Sequence, residues 1–563
     1  ALLVGAVLLA RYSAEALFVL VWAAFITAAA FTQVRFNYYL ALVVAVLNAF
    51  LLGELLRRFS LTGSIDRVRE NADALKVTFV VVLLLVALIP GLVAPLQVRS
   101  ASGGGGMSST AYGIGNSTGP GAITQWDDSL DWMKNNTPAE GNYGGAGNAD
   151  QLGYYESYQE PPNGDYDYPD GAYGVMSWWD YGHWITVEGE RIPNANPFQQ
   201  GAVQAANYLL APSEAQAEDV LTSYEEGAQD EGNQTRFVMV DWQMTTVGQK
   251  FGAPVVFYDA NQVGANDFYY PLFVERQGGG ASFGYYSHTQ RYYESQMVRL
   301  YRYHGSAMEA QPIVVDWDTV ESNGQSYRVL PSGNGSQPVR SFENMSAARD
   351  YVERDGSSQV GGFGPYPEER VPALQHYRLV KMSDSTAYGT SYVNSLLRVR
   401  QALGLQLPPQ ALSRTTPGWV KTFERVPGAT VQGSGAPANA TVTASVQMRV
   451  PSTGTNFTYR QQTQADQQGN FRFTLPYSTT GYEQVGTEEG YANVSVRGTG
   501  PYTVVTDATT NESGYAVRYS GQVDVSESQV VGIDDESAAV ELERETRPPA
   551  NDGSSGNASA GDA

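Results

Sequence analysis

Four apolar runs open the chain, at roughly 1–10, 14–34, 36–56 and 77–97, and the last three are long enough to cross a bilayer as helices. The first run is short and is not preceded by Met, so the chain reads as a piece of a longer polypeptide with its upstream part missing. Between the third and fourth runs, "RRFSLTGSIDRVRENADALK" carries Arg57, Arg58, Arg67, Arg69 and Lys76, the densest basic loop in the sequence. Basic loops favour the cytoplasmic side, which places everything after residue 98 outside the cell. On the same count Arg11 is inside and Arg35, in "TQVRFNYYL", is at the outer face, where a lone arginine serves as a snorkelling anchor.

Beyond the membrane runs the pattern changes twice. Residues 99–125 are rich in Gly and Ser and read as a flexible linker; their glycines lack the Gly-Lys-Ser/Thr that a phosphate-cradling loop needs. From 126 to 427 short helical and strand patterns alternate, as in "DDSLDWMKNNTP", where a helical stretch stops at Pro, and "TRFVMVDWQM" (235–244), a buried strand running into polar residues. From 428 to 533 Val, Thr, Tyr and Phe alternate with polar positions between Gly and Asn turns, predicting a small antiparallel β-sandwich. Within it "ADQQGNFRFTLPYS" (465–478) looks like a strand-turn-strand of a carboxypeptidase-regulatory-like module, a packing or spacer element. The last stretch, 534–563, has eight acids against two arginines and is expected to be disordered. The expected fold is therefore multi-domain: transmembrane helices, an extracellular α+β domain, a β-sandwich and an acidic tail.

Composition narrows the partners. Across 563 residues the net charge is -23, which argues against nucleic acid, because a phosphate backbone is held by Lys and Arg. Only five Lys occur, against thirty Arg, and a surface crowded with carboxylates fits a protein kept soluble at high salt. The absence of cysteine excludes disulfides, thiolate zinc sites and Cys nucleophiles. Asn-x-Ser/Thr triplets at Asn116, Asn135, Asn233, Asn334, Asn344, Asn439, Asn456, Asn493, Asn511 and Asn557 all lie beyond the last apolar run. Each alone is equally an unmodified turn, and together they suit a surface exposed to N-glycosylation.

One stretch stands apart. "SWWDYGHWI", Ser177 to Ile185, packs three Trp, one Tyr and one Asp into nine residues. Two readings remain open: hydrophobic core, or a pocket in which Asp180 accepts a hydroxyl proton while Trp178 and Trp179 donate to its oxygen or wall its methyl group. Gly182 would let the backbone turn close by. A pocket of this kind rejects ligands that lack the hydroxyl, since its polar groups would be left unpaired.

"WWDYG", Trp178 to Gly182, resembles the signature of the catalytic subunit of oligosaccharyltransferase, and the order of helices, linker, motif-bearing domain and β-domain resembles the archaeal form, in particular that of salt-loving archaea. The resemblance implies that the chain is the C-terminal half of a single-subunit membrane enzyme, beginning at the end of a class C glycosyltransferase membrane domain. Such an enzyme moves a glycan from a dolichyl phosphate or diphosphate carrier to Asn of Asn-x-Ser/Thr in acceptor proteins. It implies that Trp178, Trp179, Asp180, Tyr181 and Gly182 bind the acceptor Ser or Thr, and that Asp241, Met244 and Lys250 of "VDWQMTTVGQK" supply another wall. In an unbroken helix Asp241 and Met244 share a face and Lys250 points away; Gly248 could interrupt the helix and restore convergence, or Lys250 is a solvated charge. Arg35 would contact the donor phosphate, and His183, at a position that is often Tyr in relatives, would approach the donor. The Mg²⁺ or Mn²⁺ ligands and the catalytic carboxylates are expected upstream, with about nine further spans, so this half alone is expected to bind acceptor without transferring glycan.

Other constellations are weaker. "NGDYDYPDG" places Asp165, Asp167 and Asp170 together, either an acidic turn or a Ca²⁺ site, without the register of an EF-hand. His183, His288, His304 and His376 occur singly, with no His-Glu-x-x-His helix and no nucleophile elbow. The alternative to an enzyme is a membrane-anchored protein of the cell envelope, whose aromatic motif is core alone.

Overall fold

The computed structural model describes residues 14–32, 36–58, 73–74, 78, 81–82, 95–98, 107–110, 121–151, 170–225, 234–258, 263–275, 281–322, 324–331, 338–387 and 418–547. The chain divides into two compact units, Ala1–Gly121 and Ala122–Ala563.

In the first unit, helices α1 (Ala14–Thr32) and α2 (Asn37–Arg58) pack around Ala23, Val43 and Leu47. Phe18, Phe25 and Phe31 point outward, so α1 is apolar on its free side as well as at the contact. Tyr39–Arg58 is the one described helix long and apolar enough to cross a membrane. Run 1–10 and most of run 77–97 lie outside the described residues, as does Arg35. The end of the fourth predicted span is not helical: β1 (Pro95–Val98) pairs antiparallel with β2 (Met107–Thr110), inside the expected linker. Pro95, with no N–H and a ring that clashes with the preceding turn, cannot continue a helix.

The second unit is built on a five-stranded sheet. Its strands are β3 (Tyr173–Met176), β4 (Ile192–Pro193), β5 (Gln234–Asp241), β6 (Tyr377–Met382) and β7 (Val420–Arg425), in the order β6-β7-β5-β3-β4. Strands β3 and β5 are parallel, with Tyr173 beside Gln234 and Met176 beside Val238, whereas β7 runs antiparallel to β5. Nearly every residue of β6 and β7 is buried, as expected of strands covered on both faces. Helices α3 (Asp127–Asn136), α4 (Gly182–Val187), α5 (Ala202–Leu209), α6 (Glu214–Glu225) and α7 (Gly252–Phe257) accompany this sheet. Smaller sheets of four and three strands are formed between 269 and 360.

From Ala429 onward the chain forms two facing sheets. The expected disorder from 534 is corrected here. Ala538–Glu541 pairs in parallel with Ala429–Ser434, and Glu543–Arg547 pairs antiparallel with Ala516–Val523. In "AAVELERE" the apolar side chains alternate with the acids: Val540 and Leu542 are buried while Glu541 and Glu543 face solvent. Net charge alone conceals that alternation. Residues 548–563 lie outside the described residues.

The sandwich shares one hydrophobic core with the five-stranded sheet. At their junction Arg378 of β6, fully buried, lies 2.7 Å from Glu424 of β7 and 2.7 Å from Glu527 in the sandwich; Ser478 donates to Glu527 at 2.5 Å. Tyr477 accepts the Leu379 N–H at 2.8 Å and donates to the His304 carbonyl at 3.0 Å. Replacing Arg378 with Met should cost about 3–5 kcal/mol in denaturant unfolding, because it strands two buried carboxylates. Burial already raises the Glu424 carboxyl, so proton uptake in acid relieves the loss, and the deficit should shrink as pH falls.

Candidate functional site

Parallel pairing of β3 and β5 brings their carboxyl ends to the same edge of the sheet, where ligand sites form on folds of this type. "SWWDYG" leaves the end of β3, and Asp241 closes β5. Two segments 60 residues or more apart in sequence are thereby joined, with Ser177 donating to the Met239 carbonyl at 2.8 Å.

The aromatic stretch divides into buried residues and partly exposed ones. Trp178 is buried, its ring 5.6 Å from Phe257 and 6.0 Å from Trp179, so its indole belongs to the core and not to the mouth of a pocket. Tyr181 is also buried, stacked at 4.4 Å on Trp126 and 5.3 Å from Trp184. Gly182 is required sterically: a Cβ there would lie 2.1 Å from the Ala195 carbonyl oxygen and 2.9 Å from the Asn196 Cα. Trp179 is half-buried and Asp180 keeps 32% of its side chain exposed. The Trp179 indole nitrogen is buried without a partner among the described residues, an unspent donor next to a carboxylate. His183 lies exposed on α4.

The second wall differs from the helix considered above. Residues 242–251 form successive turns, with the Lys250 N–H bonded to the Gln243 carbonyl at 3.0 Å and Gly248 at φ +85°. This left-handed glycine folds the segment back, which an unbroken helix would not do. Lys250 consequently reaches the motif: its Nζ donates to Asp180 Oδ2 at 2.9 Å and stands 4.2 Å above the Tyr181 ring. It is not a free solvated charge. Met244 is fully buried and contributes packing and a backbone N–H.

Asp241 is a buried node rather than a surface acid. Its carboxylate accepts the Met244 N–H at 2.9 Å and the Trp126 indole N–H at 3.2 Å. Burial raises its pKa, opposed by these donors, by the neighbouring Tyr181 hydroxyl and by the charge of Lys250. Burial, then the Asp241 charge, holds the Tyr181 phenol well above its ordinary range, so it stays protonated. Trp126 was not among the residues expected at the site. The only signal in the sequence was an aromatic just before an acidic helix start, which reads as core.

The remaining candidates are dispersed. His288 is buried against Tyr292 at 3.9 Å, His304 accepts from or donates to Lys421 at 2.8 Å, and His376 Nδ1 faces the Pro427 carbonyl at 2.9 Å. Asp165 and Asp167 lie outside the described residues. Among the described residues no three His, Asp or Glu side chains are grouped to hold a metal.

Comparison with known proteins agrees with this architecture. A family model described as the AglB core domain matches residues 123–245, and one described as the archaeal glycosylation protein B long peripheral domain matches 428–533. The dolichyl-monophosphooligosaccharide–protein glycotransferase AglB of Haloferax volcanii is 56% identical over 97% of this chain and 51% of its own length. The chain thus spans about half the length of this relative. Two solved structures of Archaeoglobus fulgidus oligosaccharyltransferase share the fold. One, in complex with an inhibitory peptide and a dolichol-phosphate, has TM-score 0.52 and 21% identity, covering 96% of this chain and 56% of that one. The other, tethered to an acceptor peptide with an NVT sequon, has TM-score 0.53 and 20% identity, covering 96% and 57%.

Trp126→Phe keeps the ring stack and removes one donor to buried Asp241. It should lower unfolding stability by about 1–3 kcal/mol. The deficit should be larger at neutral than at acid pH, because a proton on the carboxyl relieves the lost donor and Asp241 takes one up more readily than an exposed acid.

Proposed function

Since the chain belongs to the AglB family of archaeal oligosaccharyltransferases, we propose that it is the acceptor-binding half of an enzyme that transfers a glycan from a dolichyl phosphate or diphosphate carrier to Asn of Asn-x-Ser/Thr. One observation carries the assignment of the site: a partly exposed carboxylate, Asp180, in the middle of the aromatic motif, is braced in place by Lys250. An acceptor Ser or Thr hydroxyl donates to Asp180, with the half-buried Trp179 ring walling the acceptor side chain. Lys250 orients Asp180, and the Tyr181 ring supports the ammonium from below. Trp178, Gly182, Asp241 and Met244 act by fixing the backbone that carries these groups.

Holding the hydroxyl presents the Asn two residues earlier at a fixed distance, which is the contribution of binding to the transfer. In the complete reaction the Asn amide nitrogen forms a bond to the anomeric carbon, the bond from that carbon to the carrier phosphate oxygen breaks with its electron pair staying on the phosphate, and the amide proton passes to one of the carboxylates expected upstream. Attack from the side opposite the phosphate inverts the sugar carbon. Mg²⁺ or Mn²⁺ would neutralise charge on the leaving phosphate. The family resemblance assigns the ligands of such an ion to the upstream part of the enzyme. Arg35 and His183 are assigned to the lipid-linked donor, and the apolar helices to anchorage in the cell membrane, with the sheet domain outside.

Asp180→Asn in the full-length enzyme should lower kcat/KM on an Asn-x-Thr reporter by roughly a hundredfold or more, as expected when a buried-side hydroxyl contact is lost. Membrane insertion should be unchanged. Normal reporter glycosylation in that variant would exclude Asp180 from the acceptor site and favour a surface protein without this activity.

A further inference from the structure

Among the described residues after 121, the two most exposed large apolar side chains are Phe198, at 99%, and Val256, at 80%. Both stand on segments that pack against the motif. The loop containing Phe198 is fixed at its base, where the Asn194 N–H meets the Val175 carbonyl at 3.0 Å, and the backbone at Ala195 and Asn196 abuts Gly182. It closes on itself through the Asn196 N–H and the Gln200 carbonyl at 2.9 Å. Phe198 and Gln199 both have left-handed backbones, at φ 69° and 67°. Two such non-glycine residues in a row are costly, and here the strain serves to hold an aromatic ring wholly outside the fold. Val256 precedes Phe257, whose ring touches Trp178.

These segments are also uncharged. Residues 194–210 and 252–258 contain no Asp, Glu, Lys or Arg, in a chain with 58 acids and 35 bases. A bilayer surface is met with Lys and Arg beside the apolar residues. A neutral apolar frame next to an ion pair suits an extended polypeptide, with its hydroxyl at the pair and its flanking side chains on the frame.

We propose that Phe198 and Val256 grip acceptor residues flanking the sequon, and so set an acceptor preference beyond Asn-x-Ser/Thr. This rests on Asp180 binding the sequon hydroxyl. The test compares, in full-length membrane-embedded enzyme, two Asn-x-Thr peptides differing only in Leu or Gly at the positions flanking the sequon. Phe198→Ala combined with Val256→Ser should lower the ratio of kcat/KM for the Leu peptide over the Gly peptide roughly tenfold, about 1.4 kcal/mol, through KM. Phe198→Gly should not lower the thermal midpoint, since the ring packs on nothing. An unchanged ratio overturns the proposal, and so does a loss that follows lipid composition and is equal for both peptides. Asp180→Ala run alongside should depress both peptides together; if it depresses neither, the hydroxyl-site reading fails as well. If it does while the double variant leaves the ratio intact, only the present inference fails.

Discussion

The ion pair between Lys250 and Asp180 is the contact on which the arrangement of the site depends. At 2.9 Å, with each side chain about one-third exposed, it adds little to stability, because solvent screens it and two flexible side chains are ordered to make it. Its value is positional. The pair ties the end of one parallel strand's loop to the turns that follow the next strand, and it leaves a partly exposed carboxylate held in one orientation. A tighter, fully buried pair would be more rigid and could not be reached by a ligand.

Rigidity comes instead from beneath. Trp126, Tyr181 and Asp241 form a dry layer in which the carboxylate is held by an indole and a backbone N–H, and Lys250 rests on the outer face of Tyr181. Farther down, the buried Arg378 group locks the sheet to the sandwich. The aromatic motif is thus a graded structure. Trp178, Tyr181 and Gly182 are packed as tightly as any core, whereas Trp179, Asp180, His183 and Trp184 keep part of their surface exposed. Placing polar function directly on close-packed aromatic rings limits the freedom of the polar groups without burying them.

An acidic chain also constrains where apolar surface is tolerated. With 58 acids against 35 bases, the chain carries a net charge of -23, which opposes self-association. The neutral, strained Phe198 loop and the exposed Val256 interrupt that charge pattern on segments that pack against the motif.

Local pattern was enough for the features that depend on neighbours in sequence. Apolar runs marked α1 and α2, alternation marked the sandwich, and five consecutive residues singled out the candidate site. Even the strands at 538–547 were present as alternation, hidden only by counting charge. What spacing could not decide was everything set by pairing between distant segments. Whether Lys250 met the motif depended on a left-handed Gly248 and on the register of β3 with β5; whether Trp178 faced solvent depended on Phe257, 79 residues away in the numbering; and Trp126 became part of the site only because α3 packs where Asp241 ends its strand. A sequence records which residues are apolar or charged, but which of them share a surface is decided by the packing of the chain against itself.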